Sequence, residues 1–154
     1  MAEKDYDLKK QLYFDRIKIE KSYDTELTEL FCVETEIEQV LLNLFKNAHY
    51  ALSKQENPDP KIVIRTFKEK AMARIEVEDN GPGISRTVQK RIFEPFFTTK
   101  AEGEGTGLGV SVSFMIIANN HSGTVEVRSD GLTGTCFIIR LLLFENSDKQ
   151  TALP

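Results

Sequence analysis

The chain has 154 residues, 40% hydrophobic and 29% charged, with no tryptophan and a formal net charge of −4. That is the composition of a single soluble globular domain long enough to bury most of its apolar surface. The acidic balance argues against a nucleic-acid partner, because a phosphate backbone selects for lysine and arginine. No apolar run approaches the roughly 20 residues that cross a bilayer, and the start Met1-Ala2-Glu3-Lys4 does not have the form of a signal peptide. The expected location is cytoplasmic, for a domain making no membrane contact itself, while a longer parent protein is free to carry an anchor. Cys32 and Cys136 sit in strand-like apolar runs with no second Cys or His at metal spacing, and are read as buried free thiols.

Residues 1–14 are polar and lysine-rich and are expected to be a short joining segment. The first element follows at Arg16–Lys21, where polar and apolar residues alternate with the period of a half-exposed strand. Leu30-Phe31-Cys32-Val33 reads as a second short strand, and Glu34-Thr35-Glu36 as a helix start, since acidic side chains complement the positive end of the helix dipole. A long helix is predicted to Lys54, with Ile37, Leu41, Leu44, Ala48 and Leu52 forming its apolar stripe. Asn57-Pro58-Asp59-Pro60 turns the chain into two antiparallel strands, Lys61–Lys68 and Ala71–Asp79. A short helix is expected over Ser85–Phe93, a long loop over Pro95–Gly107 and a second long helix over Leu108–His121, stopped at Ser122-Gly123. Strands Thr124–Ser129 and Thr135–Phe144 close the domain, and residues 146–154 form a polar tail. This order predicts an α+β, two-layer sandwich: one mixed sheet with helices on one face.

Four features carry chemistry. Asn43 and Asn47 are one helical turn apart, with Gln39 extending the row, so they share a face at the rim of the apolar stripe. Asparagine is a mediocre helix former, and its neutral carbonyl suits a hard magnesium ion already held by phosphates; surface asparagines on a helix flank are the plainer alternative. Asp79 shares strand parity with Ala73, Ile75 and Val77, so its carboxylate points inward, where it needs a donor. A purine amino group is one candidate; the N–H groups of its own turn, Asn80-Gly81-Pro82-Gly83, are the other. Thr135 likewise shares parity with Phe137, Ile139 and Leu141. Finally, Gly103-Glu104-Gly105-Thr106-Gly107-Leu108-Gly109 strips side chains from a backbone entering a helix, which suits phosphate or a flexible linker. It is neither a Walker loop nor a dinucleotide fingerprint, because no Gly-Lys-Ser/Thr follows and no apolar strand precedes. Upstream, Phe93-Glu94-Pro95-Phe96-Phe97-Thr98-Thr99-Lys100 is aromatic enough for a hinged lid, with Lys100 as a mobile cation.

In order and spacing these segments resemble the catalytic ATP-binding domain of sensor histidine kinases, within the GHKL or Bergerat-fold ATPase superfamily. The resemblance runs from Arg16 to Phe144, placing the domain at residues 15–145, and the FEPFFTTK form is similar to the nitrogen-regulation subgroup. It implies ATP and Mg2+ as cofactors. Asn47 would hold the metal and Asn43 support the phosphates, with Asn43, Asn47 and Lys100 as the catalytic set. Asp79 would accept from the adenine amino group, Gly81, Gly83 and Ile84 would shape the base pocket, and Thr135 would reach the base through water. Gly105, Thr106, Gly107, Leu108 and Gly109 would cradle the phosphates beneath a lid spanning Phe96–Gly105.

Two departures bear on mechanism. Many members carry Lys or Arg three residues after the second asparagine, where this chain has Tyr50, which shifts phosphate neutralisation to Lys100 or His49. Hydrolysing relatives place a general-base glutamate four residues before the metal asparagine; Asn43 stands there, and an amide cannot take a proton from water. Neither His49 nor His121 lies in the sequence context of a phosphate-accepting histidine. The expectation is a histidine kinase catalytic domain acting on a separate phosphoacceptor domain, and through it on a response regulator. An anti-sigma-type serine kinase and an ATP-sensing module without transfer are the alternatives.

Overall fold

A computed structural model describes residues 16–27, 29–100, 103 and 105–143. The joining segment expected over 1–14, the tail over 146–154 and the strand end at Phe144 lie outside the described residues. In chain order the elements are β1 (Lys18–Ser22), α1 (Glu34–Ser53), β2 (Lys61–Glu69), β3 (Met72–Asp79), α2 (Arg86–Arg91), α3 (Gly109–Met115), β4 (Thr124–Ser129) and β5 (Thr135–Leu142). The sheet order is β1-β2-β3-β5-β4. β1 runs parallel to β2 and every other pairing is antiparallel, so the sheet is mixed, as expected.

Period-two patterning decides which sheet face is buried. Ala73, Ile75, Val77 and Asp79 of β3 all point into the core, as do Thr135, Phe137, Ile139 and Leu141 of β5. Against them lies α1, whose buried side chains Ile37, Val40, Leu44, Ala48 and Leu52 recur at helical spacing. Leu41, expected in that stripe, is only partly buried, and Val40 takes its place. β2 and β3 are joined through Lys70, which takes the left-handed conformation with φ 55°.

Three expectations are corrected. Leu30–Val33 is not a strand: Val33 is the cap residue of α1 and donates its N–H to His121 Nε2 at 3.0 Å. Within the apolar run Leu30 and Cys32 pack against the core and Phe31 and Val33 are exposed, but among the described residues no strand pairs with it. The helix expected over Leu108–His121 is α-helical only to Met115 and widens to a π-turn over Ile116–Asn120. Its left-handed stop residue is Ser122 (φ 50°), whereas Gly123 serves close approach: a Cβ there would lie 2.3 Å from the Arg140 carbonyl oxygen. Lastly, Cys32 and Cys136 are free but half-buried rather than fully buried. Burial, with Glu76 and Glu78 nearby, pushes the Cys136 thiol up to about 12, so it is unreactive at neutral pH.

Candidate functional site

The C-terminal half of α1, the end of β3, the start of β5 and the two loops flanking α2 enclose a cavity of about 380 Å³. Ten of the thirteen residues expected to form a site line it: Asn43, Asn47, Asp79, Ile84, Lys100, Gly105, Thr106, Gly107, Gly109 and Thr135. Gly81, Gly83 and Leu108 do not, and the first two have other work. The Gly81 N–H donates to Asp79 Oδ1 at 2.9 Å. Gly83, left-handed at φ 79°, lets the turn at Gly131 and Leu132 pack against it: a Cβ would lie 2.9 Å from each backbone.

Asp79 sits on the floor of the cavity, 6% exposed. It is paired across the ladder with Thr135, as the shared inward parity predicts. Burial drives its pKa up to about 6, against the opposing pull of the Gly81 and Thr135 N–H groups. The carboxylate caps its own turn, as one of the two readings expects, and it also faces the cavity. Gly134 is the residue that permits this approach, since a Cβ there would lie 2.0 Å from the Asp79 carbonyl oxygen. Ala51, Ile84, Val88, Ile92 and Phe137 give the cavity that holds Asp79 an apolar lining.

The opposite end is polar and cationic. Asn47 lines it and makes no side-chain hydrogen bond among the described residues. Asn43 differs: its Nδ2 donates to Gly109 O and to Ser113 Oγ, both at 3.0 Å, while Gln39 Nε2 donates to its Oδ1 at 3.0 Å. Lys100 arrives from the loop after α2, its ammonium 4.8 Å from the centre of the Tyr50 ring; Lys54 approaches the same ring at 4.7 Å. Position 50 therefore has no charge of its own but gathers two. Lys46 also lines the cavity and was not anticipated. Its place one residue before Asn47 was the available signal, masked because a lysine on a helix flank is ordinary. His49, by contrast, lines a separate depression with Arg16, Leu52 and Pro60, and burial lowers its pKa, so it supplies no charge to this cavity.

The glycine-rich loop is folded onto the aromatic segment. Phe96 N–H donates to Gly107 O at 2.9 Å, and Phe96 is itself left-handed (φ 65°) and 73% exposed. A Cβ on Gly107 would lie 2.4 Å from the Phe96 carbonyl carbon, and one on Gly105 2.6 Å from Lys100 Cδ. Gly107 is thus required for this backbone contact, whereas a Cβ on Gly105 would meet only the flexible Lys100 side chain. Of the lid expected over Phe96–Gly105, positions 101, 102 and 104 lie outside the described residues. Among the described residues no cluster of three His, Cys, Asp or Glu could hold a metal. A cation here would take Asn47 as protein ligand and draw its charge partners from a substrate. The uncommitted neutral amide fits that role.

The sequence pattern of the family described as "Histidine kinase-, DNA gyrase B-, and HSP90-like ATPase" matches residues 32–145. The chain is 41% identical over 115 residues to the two-component sensor PprA of Pseudomonas aeruginosa, covering 70% of this chain and 12% of that protein. It is 40% identical over 121 residues to the sensory histidine kinase/phosphatase NtrB of Vibrio alginolyticus, covering 73% of this chain and 34% of that one. The chain thus spans well under half the length of these relatives. The nucleotide-free catalytic domain of histidine kinase ThkA superposes with a TM-score of 0.72 at 30% identity, covering 90% of this chain and 93% of that one. No described helix is long and apolar enough to cross a membrane.

Proposed function

The chain belongs to the family of histidine kinase-, DNA gyrase B- and HSP90-like ATPases, and from that premise we propose that it binds Mg-ATP and donates the γ-phosphoryl group to a histidine on a separate phosphoacceptor domain. The observation that carries the reading is Asp79. A carboxylate buried among apolar walls, its pKa raised to about 6 and met by the Gly81 and Thr135 N–H groups, is suited to accept a further hydrogen bond from the exocyclic amino group of adenine.

With the base at Asp79 and Thr135, the phosphates extend toward Asn47, Lys46, Lys100 and the loop Gly105–Gly109. Bound Mg2+ would be held by Asn47 and would neutralise phosphate charge. Lys46 and Lys100 add positive charge at the same end, and backbone N–H groups of the glycine loop supply donors without side-chain bulk. The apolar walls exclude water from the base, while the Phe96–Gly107 contact fixes where the lid closes. Catalysis on this scheme is positioning and charge stabilisation of the transferring group. Transfer is favoured over hydrolysis because the position where a water-activating base would stand holds Asn43, whose amide cannot accept a proton and is bonded to α3.

The test is titration calorimetry of the chain with ATP and GTP in the presence of Mg2+. ATP should bind and GTP, with a carbonyl in place of the amino group, should not. Asp79→Asn should cost about 1.5–3 kcal/mol of ATP affinity, the worth of a hydrogen bond to a charged group. Unchanged ATP affinity in that variant would sink the assignment of the base pocket.

A further inference from the structure

Two serines inside α3 have no obvious reason to be buried. Serine in a helix interior offers nothing to an apolar core, yet Ser111 and Ser113 are both buried, Ser113 to 1% exposure. Each bonds backward to a carbonyl at the start of the helix: Ser111 Oγ donates to Leu108 O at 3.0 Å, and Ser113 Oγ to Gly109 O at 2.8 Å. Ser113 does one thing more. Its hydroxyl accepts from Asn43 Nδ2, and the same Nδ2 donates its second hydrogen to Gly109 O. Asn43, Ser113 and the Gly109 carbonyl therefore form a closed three-membered ring of hydrogen bonds between α1 and the first turn of α3.

The orientation of the amide follows from chemistry. The Gly109 carbonyl can only accept, so the nitrogen of Asn43 must face it, and Gln39 Nε2 then supplies the donor that the Asn43 oxygen requires. The amide nitrogen of Asn43 is thus bonded within the protein. Gly109 also lies directly beside Asn43: a Cβ there would meet Asn43 Cγ at 3.7 Å, ordinary van der Waals contact. Gly109 is the residue at which the glycine loop becomes helix, so whatever fixes its carbonyl fixes where Thr106 and Gly107 stand in the cavity.

We infer that Asn43 and Ser113 are positioning residues that act as one unit: they lock the glycine loop to α1 and so place its backbone for the phosphates, with Asn43 acting through Ser113 and Gly109. The proposal rests on the Mg-ATP reading above. It makes Ser113, which does not line the cavity, a determinant of phosphate binding.

The two ideas separate experimentally. Calorimetry of the unmodified chain with Mg-ATP comes first; failure to bind overturns the nucleotide reading and this proposal together. Given binding, Ser113→Ala should weaken Mg-ATP roughly five- to tenfold, the effect of losing about 1–1.5 kcal/mol of hydrogen bonding. Adenosine, which has no phosphates, should bind Ser113→Ala and the unmodified chain alike. A merely structural serine would lower the melting temperature and leave the ATP-to-adenosine affinity ratio where it was, and that outcome overturns the proposal. The cycle with Asn43→Ala gives the second readout. If the two residues are one unit, the double variant binds ATP no more weakly than Asn43→Ala alone. If Asn43 touches the phosphates directly, the two losses multiply, and the assignment of Asn43 as a strut is wrong.

Discussion

Asp79 is the residue on which stability and function pull in opposite directions. Its folded-state pKa is raised to about 6 from an ordinary 3.8, chiefly by burial. Below the ordinary value the carboxyl is protonated whether the chain is folded or not, and its burial costs little. As the pH rises through about 6 the folded chain must ionise a desolvated group, and stability falls; a gap of two pKa units corresponds to about 3 kcal/mol. Asp79→Asn removes that penalty but loses a backbone acceptor worth about 1 kcal/mol. Urea denaturation should therefore show the variant gaining about 1–2 kcal/mol on the unmodified chain at pH 8, with the advantage gone by pH 4. Ligand binding should run the other way. An amino donor prefers the ionised carboxylate, so ATP affinity at pH 5 is expected to be roughly tenfold below that at pH 7.5, with a proton released on binding near pH 6. Affinity that is flat between pH 5 and 7.5 would mean that the base does not reach Asp79. A carboxylate that weakens the fold at the pH where the ligand binds is the signature expected of a binding residue.

At the scale of elements, the lid and the glycine loop behave as one unit because Gly107 and Phe96 are in direct backbone contact. Gly107→Ala would force a Cβ to 2.4 Å from the Phe96 carbonyl carbon and strain a φ of 73°. The expected outcome is local opening at a cost of about 1–3 kcal/mol, seen as faster amide exchange over residues 95–109 with α1 and the sheet unchanged, and as weaker ATP binding. Gly103→Ala is the control: its φ is 85°, but among the described residues no atom lies within 4 Å of the added carbon, so its effect should be smaller. Elements whose burial is set by simple periodicity were legible from the residues alone, β3 and β5 to the exact buried parity. Leu30–Val33 was not, because a short apolar run reports burial and says nothing of whether a ladder partner exists. The π-turn was not legible either. It depends on His121, whose Nδ1 lies 3.0 Å from Ile116 O while Nε2 accepts from Val33 N–H; that link joins positions 88 residues apart.

Across the whole molecule, one sheet face carries the helices and the cavity while the other carries charge. Arg65 pairs with Glu78 at 3.2 Å, Arg140 with Glu126 at 3.0 Å, and Arg74 with Glu69, in a lattice of alternating sign running over β2, β3, β5 and β4. Exposed pairs of this kind contribute little stability; they cover Ile138 and keep an open sheet face wet. All the chemistry is thereby confined to the helical side. Legibility divides along the same line: the residues expected to meet a ligand fall in short motifs, whereas Lys46, Ser113 and the gathering of Lys100 at Tyr50 depend on which helix lies beside which loop. Neither histidine is placed to accept the phosphoryl group proposed above: His49 lies outside the cavity and His121 has both ring nitrogens engaged with backbone groups. Mixing the chain with Mg-ATP labelled on the γ-phosphate should therefore label it negligibly. Adding, in trans, a helical phosphoacceptor domain from a related sensor kinase should label that domain instead. The bond should be acid-labile and stable to base, as a phosphoramidate on histidine is and a serine ester is not. Acid-stable label on the added protein would point to the serine-kinase alternative, and label on this chain would show that a nucleophile within it had been overlooked.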